Sequence, residues 1–365
     1  MTLQNLYKKF TARCNQIIHC GFILMFIALI NAILRMCMFI KFRIVDKEKN
    51  CMRAIKYLAL LISVLVLSGA LLGCATQSVN ALAPNSNDPQ KRWGLEKLVI
   101  VLMPGEDAEN IVETRNIFDK DLSEKLRGLP VEEYRANDYS AMTEAMRTGA
   151  AHVGQFGPFA YTYAVDRAGA EAMVTTGTDG KHGYYSYIIT HVDSGIDTLD
   201  DLKGRSFGFV DPESASGNIV PSNEILNHFQ KTMPELTFDD LHVNGAFFSA
   251  AAFTGNHGNS AQGVYHEDID AAGISSGTLD SQIKNGLIEA DKVKIIHKSP
   301  LIPSSPYAIQ KDLPQELKDL VKQFFLDWDD EAYWEVRTPG ARFIEVDDSE
   351  YSYTRELREK FNLTD

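Results

Sequence analysis

The stretch Asp193–Asn218, DSGIDTLDDLKGRSFGFVDPESASGN, decides how this chain is read. Thr198 stands three residues before Asp201 in a variant of the capping box, Leu199 and Leu202 share one face, and Gly204 is the stop. A strand over Ser206–Val210 then ends at Asp211-Pro212, and Ser214-Ala215-Ser216-Gly217 opens the next helix. A helix start leaves backbone N–H groups without intrahelical acceptors, next to the positive end of the helix dipole. With two hydroxyls beside them, those groups form an anion cradle that needs no lysine. Taken alone, the same serines also fit ordinary N-caps.

Outward from this unit, short apolar runs alternate with amphipathic ones. Strands are expected at 98–103, 131–134, 152–156, 172–175, 185–190, 206–210, 241–243, 269–274 and 293–296, several of them continuous β-branched runs of the buried kind. Helical spacing occupies 110–127, 140–147, 159–168, 199–203, 219–231, 261–267 and 278–284. This alternation predicts an α/β protein of parallel sheets covered by helices. The glycine-rich Gly177–Tyr185 and the proline-rich Ser299–Pro306 (SPLIPSSP) divide it. Read as two crossovers, they give one lobe of 97–184 plus 306–365 and a second of 185–305, with ligand bound between them.

The chain has 365 residues, 45% of them hydrophobic, which excludes disorder and collagen-like repetition. Its 36 Lys/Arg and 49 Asp/Glu give a net charge of −13. Ten of the basic residues but only Asp46 and Glu48 of the acidic ones lie in residues 1–74, so this part carries +8 and the remainder −21. So acidic a body is not built for nucleic acid, which needs clustered Lys/Arg. All five cysteines, Cys14, Cys20, Cys37, Cys51 and Cys74, also precede the break, leaving the body without disulfides or cysteine metal sites.

From Met52 the sequence reads MRAIKYLALLISVLVLSGALLGC: a basic start, an apolar run and small residues before Cys74. That layout is a secretory signal over 52–74. Its ending, Leu71-Leu72-Gly73-Cys74, resembles a bacterial lipobox, which implies lipidation of Cys74 and attachment to a membrane through acyl chains. The alternative is a membrane-spanning helix. Residues 75–96 are expected to be a tether. Residues 1–51, with an apolar stretch at 17–40, are read as an overextended gene start or an additional membrane segment.

The run DSGI, TLDDLKGRSFGF, DPESASG is similar to the signature of the phosphonate-binding proteins of bacterial ABC importers, a family that also takes up phosphite and related oxyanions. Further matches follow in the family's order: Gly157-Pro158-Phe159-Ala160-Tyr161, Gly183-Tyr184-Tyr185-Ser186, FTGNHGNSA from Phe253, Ile269-Asp270-Ala271-Ala272 and Ser299-Pro300-Leu301-Ile302-Pro303. The resemblance implies a type II periplasmic-binding-protein fold of two lobes joined by two hinges. It implies a monomer with no catalytic residue, no cofactor and no metal, working with an ABC permease and its ATPase outside the cytoplasm. Carried over by motif, Ser214, Ser216 and the amide of Ala215 hold the anion's oxygens, Tyr139 and Tyr184 close on it, and His257 donates to it. Ala215 stands where the family often has threonine, so one hydroxyl is missing.

Family members that bind aminoalkyl phosphonates resemble one another in placing carboxylates near the ligand's ammonium, at positions that here are Gly277 and Ser305. A buried ammonium without a carboxylate is strongly disfavoured. The expected ligand is therefore phosphite, methylphosphonate or phosphate rather than an aminoalkyl phosphonate. Two rival readings remain at this point. One is a binding module that reports its ligand to a membrane receptor. The other is a serine hydrolase built on Gly273-Ile274-Ser275-Ser276-Gly277, with Asp291 and His297 completing the triad.

Overall fold

Leu98–Leu102 (LVIVL) forms strand β1 with all five side chains buried, the pattern of a strand covered on both faces. The computed structural model to which it belongs describes residues 85–105 and 109–363. The signal segment, Cys74 and the proposed extra N-terminal segment lie outside the described residues. Ahead of β1, Pro89–Trp93 is a short helix, α1, capped by Asp88 and with Trp93 buried. The expected tether is therefore shorter than 75–96, because Trp93 is part of the core.

The chain continues through α2 (Glu109–Lys125), β2 (Val131–Arg135), α3 (Tyr139–Arg147), β3 (Val153–Gln155), α4 (Ala160–Ala168) and β4 (Ala170–Thr178). It then runs through β5 (Ser186–His191), β6 (Ser206–Phe209), α5 (Val220–Phe229), β7 (Ala250–Phe253), α6 (His257–Tyr265), β8 (Ala271–Ser275), α7 (Ser276–Lys284) and β9 (Val293–Lys298). It ends with β10 (Pro306–Gln310), α8 (Gln315–Asp327), α9 (Glu331–Arg337), β11 (Ala341–Glu345) and α10 (Ser352–Lys360).

These strands make two sheets, ordered β11-β4-β10-β3-β1-β2 and β7-β6-β8-β5-β9. The expectation of wholly parallel sheets is corrected. β1 is parallel to β2 and β3, and β6 to β7 and β8, but β10 is antiparallel to β3 and β4, β11 to β4, and β5 to β8 and β9. The cause is topological. β5 and β10, which enter their sheets from the two connections between them, run against the βα strands, while β11, reached through α8 and α9, pairs antiparallel to β4 at the sheet edge. The two connections are Thr178 to Ser186 and Lys298 to Pro306. They touch each other where Tyr184 and Ile302 exchange backbone hydrogen bonds of 2.9 and 2.8 Å.

A strand was expected at 241–243, but Asp239–Leu241 is a single 3₁₀ turn and β7 lies later, at Ala250–Phe253. Thr237 and Asp240 explain this, since each accepts a hydrogen bond from the other's backbone N–H in a local cap that competes with a strand. β10 begins at a proline, which a strand tolerates at its first position.

Each sheet has its own core. Phe118 of α2 centres the first, with Phe324, Phe325 and Trp328 edge-on at 5.0–5.1 Å and Tyr333 stacked at 5.7 Å. In the second sheet, Ile188, Phe207 and Phe209 face Ile225, Leu226 and Phe229 of α5, while Ile189, Ala272 and Ile274 face α6 and α7. A further cluster joins the halves: Phe159 and Tyr163 meet Ala215, Ile219 and Val220, with Ile302 and Leu357 alongside. Helix α10 reinforces this seam. Thr354 and Arg358 donate to the carbonyls of Pro158 and Thr162, while Lys360 donates to the side-chain oxygens of Asn223 and Asn227 on α5.

Phe118→Ala removes the ring around which the first core is assembled and should cost about 3–5 kcal/mol of stability, measured by urea unfolding.

Candidate functional site

Beyond the end of β6 the backbone turns at Asp211-Pro212 and enters the helix that becomes α5. The first turn, Ala215–Ile219, is a π turn, wider than the α-helix it feeds. Ser214 caps it, with Oγ accepting from Gly217 N at 3.1 Å and its carbonyl accepting from Asn218 and Ile219. Residue 217 has to be glycine, because a Cβ there would sit 2.3 Å from Val210 Cγ2. Among the described residues, the N–H groups of Ala215 and Ser216 find no acceptor. The Ser216 side chain is 1% exposed, yet its Oγ has no hydrogen-bond partner. The Ser216 carbonyl is held from the other side by Ser186 Oγ at 2.7 Å. The expected cradle thus presents three buried donors with nothing to donate to.

Two tyrosines face it from outside the second sheet. Tyr139 is the first residue of α3, capped by Asp138, and its ring lies against Gly157, where a Cβ would be 3.2 Å from Cε1. Its N–H reaches Asp211 Oδ2 at 3.5 Å, a link from the first half of the molecule to the second. Its hydroxyl lies near Ser214, and that of Tyr184, on the crossover, lies near Ser216 without reaching Oγ at hydrogen-bond distance. Burial raises the pKa of both phenols, that of Tyr184 to about 12. Both are neutral O–H donors near pH 7.

His257 opens α6 and is tied to the same region by its neighbours. Gly255 N donates to the Val210 carbonyl at 2.8 Å, and His257 Nδ1 accepts from Ser275 N at 3.1 Å. Ser276 Oγ in turn accepts from the N–H of Tyr185, next to Tyr184. The structure brings Tyr139 near Ser214 and Tyr184 near Ser216, and it ties the start of α6, with His257, to the ends of β6 and β8.

A model of the family described as the periplasmic substrate-binding protein of phosphonate ABC transporters matches residues 100–351. The chain belongs to this family. A phosphonates-binding periplasmic protein from Escherichia coli K12 is 29% identical to it over 61% of this chain and 63% of that protein. A phosphate-import protein from Mycolicibacterium smegmatis is 30% identical over 63% of this chain and 71% of its own length. Among solved structures, the binding-protein component of a phosphonate transporter from Pseudomonas aeruginosa superposes with a TM-score of 0.63, at 26% identity, covering 73% of this chain and 87% of that one. A Prochlorococcus marinus protein in complex with methylphosphonate has a TM-score of 0.61 at 19% identity, covering 73% and 98%. The two-sheet architecture is the type II periplasmic-binding-protein fold, and the family is one of transport proteins rather than enzymes.

In this member of the family the hydrolase reading fails on geometry as well. Ser275 Oγ is spent capping α7, accepting from Thr278 N at 3.2 Å, with Thr278 Oγ1 at 2.8 Å. His297 lies on β9, separated from β8 by β5, and its Nε2 pairs with Glu224 at 3.0 Å. Among the described residues, no group of three or more His, Cys, Asp and Glu is placed to hold a metal ion, and no helix is long and apolar enough to cross a membrane.

Carboxylates stand near the start of the cradle helix. Asp211 and Glu213 flank the turn, with Asp138 across from them. Burial, then repulsion from Asp211, raises Glu213 to about 7, against the pull of Arg167 and Arg358. His257 keeps an accessible face although protein surrounds it, as a group lining a cavity does, and loss of hydration lowers its pKa to about 4. With Nδ1 accepting, the neutral ring carries its proton on Nε2 and offers it as a donor.

The sequence reading assigned no role to Ser186, which anchors the Ser216 carbonyl, or to Asp211, which bridges to Tyr139. Both lie inside quoted motifs, but their partners are 30 and 72 residues away and only the fold brings them together.

His257 binds its proton less readily folded than unfolded, so it contributes stability above about pH 6.5 that is lost as pH falls toward about 4. The melting temperature of His257→Gln should therefore fall less steeply than that of the native protein over this interval, as read by differential scanning calorimetry.

Proposed function

We propose that this protein is the extracytoplasmic solute-binding component of an ABC importer. It captures a small phosphorus oxyanion between its two halves, at Ser214, Ala215, Ser216, Tyr139, Tyr184 and His257, and delivers it to a permease driven by an ATPase. The observation that carries this reading is the buried Ser216 Oγ without a partner, beside two backbone N–H groups that also lack one. In this reading, two neutral phenols near these serines and the His257 Nε2–H complete a shell of donors drawn from both halves. Such a shell suits a compact group with three acceptor oxygens.

In the proposed cycle the anion enters against the helix start while the halves stand apart. Rotation about the paired crossovers at Tyr184 and Ile302 then brings Tyr139 onto it. Binding energy drives this closure, and the closed form is what the permease recognises. No bond is made or broken in the ligand. The preferred ligands are phosphite, methylphosphonate and phosphate. No carboxylate stands at Gly277 or Ser305, the positions where the family resemblance places the partner of a ligand ammonium, so an ammonium there would lose water without that partner. The names of the relatives, one for phosphonates and one for phosphate import, are in keeping with this ligand class. The proposal extends to the N-terminus: cleavage before Cys74 and lipidation of its thiol tether the monomeric binding protein to the membrane.

Thermal-shift titration of the chain from Ala75 onward tests the ligand. A ligand at 100 times its dissociation constant adds about 2.7 kcal/mol, enough to raise the melting temperature by several degrees. Methylphosphonate or phosphite should do so, and 2-aminoethylphosphonate and sulfate should not; a flat response to every phosphorus compound rejects the ligand class. Ser216→Ala removes one hydrogen bond to a charged ligand and should weaken binding by about 10- to 100-fold in calorimetry. Cys74→Ser in the full chain should move the protein from the membrane to the soluble fraction of cells.

A further inference from the structure

Asn218 lies in the first turn of the cradle helix, 2% exposed, and its amide is held at three points. Nδ2 donates to the Pro212 carbonyl at 2.9 Å. Oδ1 accepts from Ser222 Oγ at 3.5 Å and lies 2.6 Å from His242 Nε2. The other nitrogen of that ring, His242 Nδ1, is 2.9 Å from the Phe238 carbonyl. Both partners of His242 are thus oxygen acceptors. A neutral imidazole has one N–H and one lone pair, so in either tautomer it would turn a lone pair toward an oxygen. Reversing the Asn218 amide gives no relief, because its oxygen would then face the Pro212 carbonyl. With the ring in this orientation, only the doubly protonated form donates to both oxygens.

The surroundings suit a cation. Ring centroids of Phe209, Phe238 and Phe253 lie 4.4, 4.5 and 5.7 Å from that of His242, and aromatic faces attract positive charge. Burial, the largest influence, lowers the pKa of the ring below the ordinary imidazole value, against the Phe238 carbonyl and Asp239, which favour the proton.

We infer that His242, as an imidazolium clamped between Asn218 and Phe238, is a positioning residue of the anion site: it fixes the Asn218 amide and, through it, the Pro212 turn that sets Ser214 and Ser216, and it lends positive charge to a cradle that has no lysine of its own. The inference rests on the reading of that cradle as the anion site. By linkage, a bound anion favours the proton on His242 and the proton favours the anion. The contribution is therefore present at low pH and disappears as pH rises through the pKa of the ring.

Two measurements test it. In ¹⁵N-edited NMR of the native protein at pH 6, with and without saturating methylphosphonate, the His242 ring should show both nitrogens protonated in the bound sample; a single protonated nitrogen in both samples overturns the inference and does not depend on any variant folding. Calorimetric titrations with methylphosphonate then compare the native protein with His242→Gln, which can donate to only one acceptor and cannot be charged. The ligand's own ionisation cancels in the ratio of their dissociation constants. That ratio should be about 10 at pH 6, the size expected for one hydrogen bond from a charged donor, and should approach 1 by pH 9. A ratio that does not change with pH overturns the role given to His242 while leaving the anion site standing. A native protein that binds no phosphorus anion at any pH overturns the anion site itself, and with it that role.

Discussion

Three donors without acceptors, the N–H groups of Ala215 and Ser216 and the Ser216 hydroxyl, are the constraint around which the second half of the molecule is arranged. A buried polar group left unpaired costs roughly 1–3 kcal/mol, and a fold tolerates such a group only where its neighbours leave it no better conformation. Here they leave none. Gly217 lets the turn press against Val210, Ser214 and its carbonyl hold the inner N–H groups, and Ser186 pins the Ser216 carbonyl from the neighbouring strand. The widened π turn spreads the first residues of the helix and keeps their N–H groups clear of one another. The donors are thus preorganised, and the ordering cost that an anion would otherwise incur on binding has been met during folding.

The same economy explains how an acidic protein can hold an anion. A lysine or arginine in the pocket would bind any anion strongly and would need its own counter-charge when the site is empty. Neutral donors bind through direction instead, so the number and placement of ligand oxygens matter more than charge alone. Asp211 has a structural part: its carboxylate meets the Tyr139 backbone N–H and links the two halves beside the helix start. Its partly buried neighbour Glu213, raised to about 7, holds a proton much of the time near neutrality and limits the negative charge at the seam.

Much of this was legible in the sequence, for identifiable reasons. The cradle lies within one βα unit, so strand, turn and helix start are contiguous, and local signals such as Thr198 with Asp201 carry the reading. The crossovers are marked by glycine and proline, which act on the backbone whatever the tertiary context. What escaped is what depends on distant partners. β10 and β11 are short strands whose place in the first sheet comes from pairing with β4, more than 100 residues earlier, and nothing within five residues announces it. The parallel bias failed at the strands next to the crossovers because hydrophobic runs do not encode direction. Trp93 is indistinguishable from a tether residue until the groove that receives it is known. His242 carries no motif, and its role arises only from the convergence of Asn218, Phe238 and three aromatic rings.

Helix α10 gives the molecule a third connection. Two crossovers alone define a single axis of rotation, and nothing in them sets where the rotation stops. The last helix grips α4 through Arg358 and α5 through Lys360, and beyond it Phe361 stacks on Phe238 at 4.6 Å. It therefore adds a third tie between the halves to the two connections. Because Phe238 also supplies the carbonyl that His242 touches, the segment after α10 is linked by packing to the residues that hold the cradle helix.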